Sequence, residues 1–131
     1  MAKKITAIRK YRPELKRMKT MQTEELMEQL VQRTALTQGA VRQSVYELRD
    51  TLLMALRDGQ GVRIEGLGIF SPTIRADGKL GISFRADPRM ARELNGGTLH
   101  AKILNKSSIG KSAAELIARW NAEHPDDPVE D

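Results

Sequence analysis

Between Val62 and Arg85 the chain reads VRIEGLGIFSPTIRADGKLGISFR, and this run constrains its own strand register. A two-residue Asp77-Gly78 loop would set Ile74 opposite Gly81 and put the apolar residues of the two strands on opposite faces. A three-residue Ala76-Asp77-Gly78 loop instead pairs Phe70 with Phe84, Pro72 with Ile82 and Ile74 with Leu80, all on one face. Ser71/Ser83, Thr73/Gly81 and Arg75/Lys79 then share the other. A slip of one residue inverts every side chain, so the pattern selects the longer loop. Gly78 takes the left-handed position that a type I turn followed by a bulge requires. Gly66-Leu67-Gly68 reads as a bend in the same sheet. No Lys-Ser/Thr follows it and the chain leads on into strand, so it is not a phosphate loop.

The residues before the sheet have helical spacing. From about Thr23 to Ala35, Leu26, Met27, Leu30 and Val31 recur on one side. Leu36-Thr37 interrupts, with Thr37 placed to cap the next helix. From about Gln38 to Arg57, Val41, Val45, Leu48, Leu52 and Leu56 step by 4, 3, 4 and 4, and Leu53 and Met54 widen the apolar face. One short helix cannot cover so broad a face, which implies a partner helix or a second subunit. Asp58-Gly59-Gln60-Gly61 ends the helix. After the sheet, Pro88 opens a short helix with Met90, Ala91 and Leu94 that stops at Asn95-Gly96-Gly97.

The two ends read less clearly. Lys4 to Tyr11 mixes Ile5, Ala7, Ile8 and Tyr11 with basic residues and suits an edge strand or a disordered arm. Thr98 to Leu104 alternates Leu99, Ala101 and Ile103 as a strand would. Ser112-Ala-Ala-Glu115 has capping-box spacing, and the helix it starts puts Ala113, Leu116, Ile117 and Trp120 on one face, with Trp120 as a packing anchor against the body. Pro125 to Asp131 reads as a disordered acidic tail. The expected segments are therefore a basic N-terminal stretch (1–20), a central domain (21–95), a strand-helix extension (96–124) and the tail (125–131).

Composition excludes several functions. The chain has no cysteine, so disulfides, thiolate metal sites and thiol catalysis are out. No apolar run approaches a membrane span, and the N-terminus lacks a signal-peptide core, so a cytoplasmic location is expected. His100 and His124 stand in dissimilar contexts with no metal-ligand spacing, and no base activates the scattered serines and acids. We expect no enzyme activity, no metal and no cofactor. Few aromatics are present, which disfavours base stacking on single strands.

Charge points to duplex phosphates instead. The net charge of +5 is uneven, with eight Lys/Arg against one Glu in residues 1–20. Candidate phosphate contacts are Arg63, Arg75, Lys79, Arg85, Arg89 and Arg92, with Lys3, Lys4, Arg9, Lys10, Arg12, Lys16, Arg17 and Lys19 of the N-terminal stretch. Arg75 and Lys79 sit opposite each other at the hairpin tip, a like-charge cost that an anion would relieve.

From Thr23 to Asn95 the order helix, Leu36-Thr37, long helix, V-R-I-E-G-L-G-I-F (Val62 to Phe70), then Phe84-Arg85, Pro88 and a basic short helix resembles the bacterial histone-like HU/integration host factor family. The resemblance implies an α+β fold: two helices, a short antiparallel sheet and a short helix, in an intertwined homodimer whose sheets form a saddle for double-stranded DNA. It implies that Val41, Val45, Leu48, Leu52 and Leu56, with Phe70 and Phe84, make the dimer interface. It further implies that Arg85, Arg89 and Arg92 flank the DNA and that the backbone at Gly66 and Gly68 lies near phosphates. The departure is the arm. Only 13 residues separate Phe70 from Phe84, and Pro72 is paired with Ile82 instead of standing at a tip, so proline intercalation does not carry over. The expected function is non-sequence-specific, nucleoid-associated DNA binding. The alternative is a dimeric interaction module that keeps the fold and has lost DNA.

Overall fold

The computed structural model describes residues 2–129 and divides the chain into two compact units, residues 20–99 and residues 1–19 together with 100–131. In the central unit, α2 (Thr23–Arg33) and α3 (Gln38–Arg57) precede β2 (Val62–Ile64), β3 (Gly68–Ile74), β4 (Leu80–Ala86) and α4 (Pro88–Gly96). Thr37 caps α3 as expected, its Oγ1 accepting from Ala40 N at 3.1 Å. At the other end Gly59, at φ +76°, closes a Schellman turn in which Gly59 N donates to Leu56 O and Gln60 N to Ala55 O. Arg42 grips both carboxylate oxygens of Glu24, at 2.9 and 2.7 Å, and so ties α3 to α2.

The three strands form an antiparallel meander in the order β2-β3-β4. Phe70 pairs with Phe84, Pro72 with Ile82 and Ile74 with Leu80, the register expected from the three-residue loop. Gly78 N donates to Arg75 O, Arg75 N donates to Lys79 O, and Gly78 has φ +86°. The expected bend at Gly66-Leu67-Gly68 is in fact a full reversal. Leu67 N donates to Ile64 O at 3.0 Å across a β-turn whose third residue is Gly66, at φ +82°, and Ile64 pairs with Gly68.

Burial in this unit is thin. Its buried hydrophobic side chains are Met27 and Val41. Leu53 and Leu56 of α3 and Pro72, Ile74, Leu80 and Ile82 of the sheet line an open apolar groove, with Ile74 and Leu80 exposed at 71 % and 74 %.

The second unit is built from both ends of the chain and corrects three expectations. Lys4–Tyr11 is helix α1, neither edge strand nor disordered arm, because Ala7 and Tyr11, four residues apart, bury one face against α5 (Ala113–Glu123). The expected strand Thr98 to Leu104 shrinks to β5 (Ile103–Leu104), since its antiparallel partner β1 (Glu14–Leu15) offers only two residues. The acidic tail is packed through Val129. Val129 is buried with Ala7, Tyr11, Leu116 and Trp120, its N–H donates to Asn121 Oδ1 at 2.7 Å, and it bridges to Ala2. Glu130 and Asp131 lie outside the described residues. Trp120 anchors α5 as expected, but its cover is α1 and the tail. Its ring meets Tyr11 edge-on at 6.4 Å, stacks on His124 at 3.9 Å, and Nε1 donates to Asp127 O. Ser112 caps α5 by accepting from Glu115 N, as its spacing predicts.

Candidate nucleic-acid interface

The sheet of the central unit separates its side chains by type. Alternation places Phe70, Pro72, Ile74, Leu80, Ile82 and Phe84 on one face. On the other, Arg63 of β2 pairs with Ile69 of β3, and Ile69 pairs with Arg85 of β4. Directly paired residues share a face, so Arg63 and Arg85 flank Ile69 in one row across three strands. The same face carries Ser71, Ser83 and Thr73 toward the tip, and Arg75 and Lys79 at it. A surface of guanidinium, ammonium and hydroxyl groups with no carboxylate on its strands suits a line of phosphates.

Asp87, which sequence reasoning passed over in favour of the adjacent Pro88, organises the corner behind this face. Its Oδ1 accepts from Arg89 N at 2.8 Å and caps α4, while its Oδ2 accepts from Gly66 N at 3.1 Å. Asp87 N donates to Leu67 O. One carboxylate thus locks the β2–β3 turn to the start of α4. The Arg89 N–H bond above all holds its pKa below the usual aspartate range; burial, the next largest effect, opposes it, and the Gly66 N–H and the charges of Arg89 and Arg63 add to the lowering. Gly68 completes the corner by close approach, because a Cβ there would lie 2.4 Å from Arg85 O and 2.7 Å from the Phe84 ring. Phe84 in turn packs on Phe70 at 4.8 Å.

The basic residues singled out in the sequence fall into distinct settings. Arg63, Lys79, Arg85 and Arg92 join no ion pair among the described residues. Arg89 is held by Glu65 at 3.2 Å and Asp87 at 3.7 Å, and Arg75 leans on Asp77 at 3.7 Å. Lys3, Lys4, Arg9, Lys10, Arg12, Lys16, Arg17 and Lys19 all belong to the terminal unit. There Arg12 pairs with Glu14, and the Lys10 ammonium lies over the Tyr11 and Trp120 rings, 3.2 Å from His124 Nε2. Of the residues expected at a dimer interface, Val41 is already buried within its own chain. Leu48 and Phe84 are about half exposed, at 46 % and 50 %, and Val45, Leu52, Leu56 and Phe70 are partly covered.

Comparison with known proteins agrees with this architecture. No curated protein matches the chain. Among solved structures, the chain is similar to a point mutant of HU from Thermotoga maritima, with 19 % identity, a TM-score of 0.50, and 56 % of this chain covering 99 % of that one; this is a likeness of fold. A protein-family model described as HU domain fused to wHTH, Ig, or glycine-rich motif matches residues 2–83. The match takes in Arg63, the glycine corner and the hairpin tip and ends before Arg85, Arg89 and Arg92. It spans more than half of the sequence, and the chain belongs to this family of HU domains.

Proposed function

We propose that the protein is an arm-less HU-like homodimer that binds double-stranded DNA without sequence preference, as a nucleoid-associated protein. The observation that carries this reading is the two-sided sheet, with Arg63, Arg85, Arg75 and Lys79 on one face and an uncovered apolar face on the other. A second subunit would cover the apolar side, where Leu52, Leu56, Ile82 and Phe84 leave more surface open than one chain can fill. Arg92 adds a cation beyond the sheet, the turn at Gly66 brings backbone close to the same edge, and the N-terminal lysines and arginines supply further phosphate contacts. Pro72 sits inside the hairpin ladder, paired with Ile82, so the DNA is held by charge and not by a proline wedge.

If about six phosphates are neutralised, log affinity falls against log salt with a slope of about −5. Gel-shift titration from low to physiological salt measures it, and absence of retardation at low salt overturns the reading. The paired variant Arg63→Gln/Arg85→Gln removes four cations from a dimer and should flatten the slope to about −2 while the fold is kept.

One observation favours the other reading, an interaction module without DNA. Residues 20–99 hold ten basic and ten acidic residues, so the HU-like unit is neutral and the whole net charge of +5 resides in the terminal unit. An intact dimer whose weak DNA affinity is unaffected by Arg63→Gln/Arg85→Gln would decide for that module.

A further inference from the structure

Between β1 and α2 runs Lys16-Arg-Met-Lys-Thr-Met-Gln22, a stretch that is neither helix nor strand. It holds three cations and no carboxylate, and every one of its residues is exposed. Lys16, Arg17 and Lys19 join no ion pair among the described residues, unlike Arg12 just before them, which Glu14 holds at 3.1 Å. Lys16 N donates to Lys102 O at 2.8 Å and so fixes where the stretch begins. From Arg17 to Met21 the backbone N–H groups find no acceptor among the described residues.

Met18 stands between Arg17 and Lys19. At 82 % exposure it is the most open large apolar side chain among the described residues. The two cations lose nothing in water, whereas a methionine left there forgoes the free energy that its burial would return. The shape of the stretch selects what could bury it. The major groove of duplex DNA takes an α-helix or a two-stranded ribbon, while the minor groove, about 6 Å wide, takes a single chain. Neither helical nor paired, Arg17 to Lys19 is such a chain. The negative potential of a narrow minor groove draws arginine and lysine, and methionine is among the apolar side chains that wedge between base steps there.

We propose that Lys16–Lys19 lies in the minor groove of duplex DNA, with Met18 inserted between base steps and Arg17 and Lys19 on the phosphates that wall the groove. The proposal rests on the reading that the protein binds DNA, and adds a wedge from an element outside the hairpin. Successive side chains of an extended chain point opposite ways, so Met18 faces the floor of the groove as its two neighbours face the walls. The minor groove presents nearly the same pattern for A·T and T·A, so such insertion leaves binding almost blind to sequence.

The test is methyl NMR of the full chain with isotope-labelled methionine, titrated with a short A·T-rich duplex at low salt, beside a gel shift of the same duplex. Met18→Gln assigns the Met18 signal and, at so exposed a position, leaves the fold intact. Ring currents of the flanking bases should carry the Met18 methyl upfield, and a minor-groove dye bound beforehand should abolish that shift. Energy transfer between dyes on the duplex ends should rise as a kink draws them together. Met18→Gln should lose most of that rise while weakening affinity only a few-fold. Arg17→Gln/Lys19→Gln should flatten the salt slope by about 2 per chain. If the duplex is retarded but the Met18 methyl stays in place, its shift survives the dye, the ends draw no closer, or Met18→Gln bends the duplex as fully as the native chain does, the inference fails and DNA binding stands. If nothing is retarded at low salt, both fall.

Discussion

A methyl group at Gly68 would meet two neighbours that cannot both move, the Arg85 carbonyl and the Phe84 ring. Gly68→Ala should therefore destabilise the central unit by about 3 kcal/mol, the upper end for overpacking, as a lower urea midpoint. Gly39, in the first turn of α3 with nothing within 4 Å of its would-be Cβ, is the contrast. There Gly39→Ala should stabilise by about 0.5–1 kcal/mol. Asp87 makes a pH prediction. Its folded pKa lies below its unfolded value, so its contribution is present above the ordinary aspartate range and is lost as pH falls through the folded value. Thermal melts between about pH 6 and pH 3 should show the loss, and Asp87→Asn, which cannot titrate, should show less of it.

At the level of elements, α1 and α5 depend on each other. Tyr11 OH donates to Glu123, and Arg119 lies over the Tyr11 ring while bonding Glu123 at 3.1 Å. Burial first, then the Glu123 bond, raises the Tyr11 pKa; the Tyr11 bond first, then Arg119, lowers that of Glu123. The Glu123 contribution is lost as pH falls through its folded pKa, and that of Tyr11 as pH rises through its own. Melting followed by Trp120 fluorescence should peak near neutrality, and Tyr11→Phe should flatten both flanks. This pair also shows why one part of the fold was legible in the sequence and another was not. The hairpin register, the Thr37 cap and the Gly59 stop rest on neighbours a few residues apart, where alternation and turn chemistry leave one solution. The helix at Lys4–Tyr11 rests on a partner 112 residues away, and its own apolar positions fit strand or helix equally. Acidic composition hid the tail in a similar way, because Val129 gains its burial from α5 and from Ala7 and Tyr11 at the other end of the chain. At the candidate interface, the pairing of Ile69 with Arg85 follows from the same alternation, whereas Arg63 joins their row only through the reversal at Gly66, and Asp87 bonds Gly66 from 21 residues away and left no local pattern.

At the level of the molecule, the single tryptophan lies in the terminal unit and the long helix in the central one. Trp120 fluorescence and helical ellipticity should therefore report two separable transitions. Val129→Asp should lower the first by several degrees and leave the second in place. Sizing should give twice the 14.7 kDa chain mass, and Leu52→Asp/Ile82→Asp should shift it toward one chain. The interleaving of the two units also sets a schedule for synthesis. Residues 20–99 emerge from the ribosome as an uninterrupted stretch and can collapse on their own, whereas α1, made early, has nothing to lie on until Trp120 and Val129 follow it out. A nascent chain stalled in between would leave the apolar side of α1, with Ala7 and Tyr11, uncovered and open to proteases.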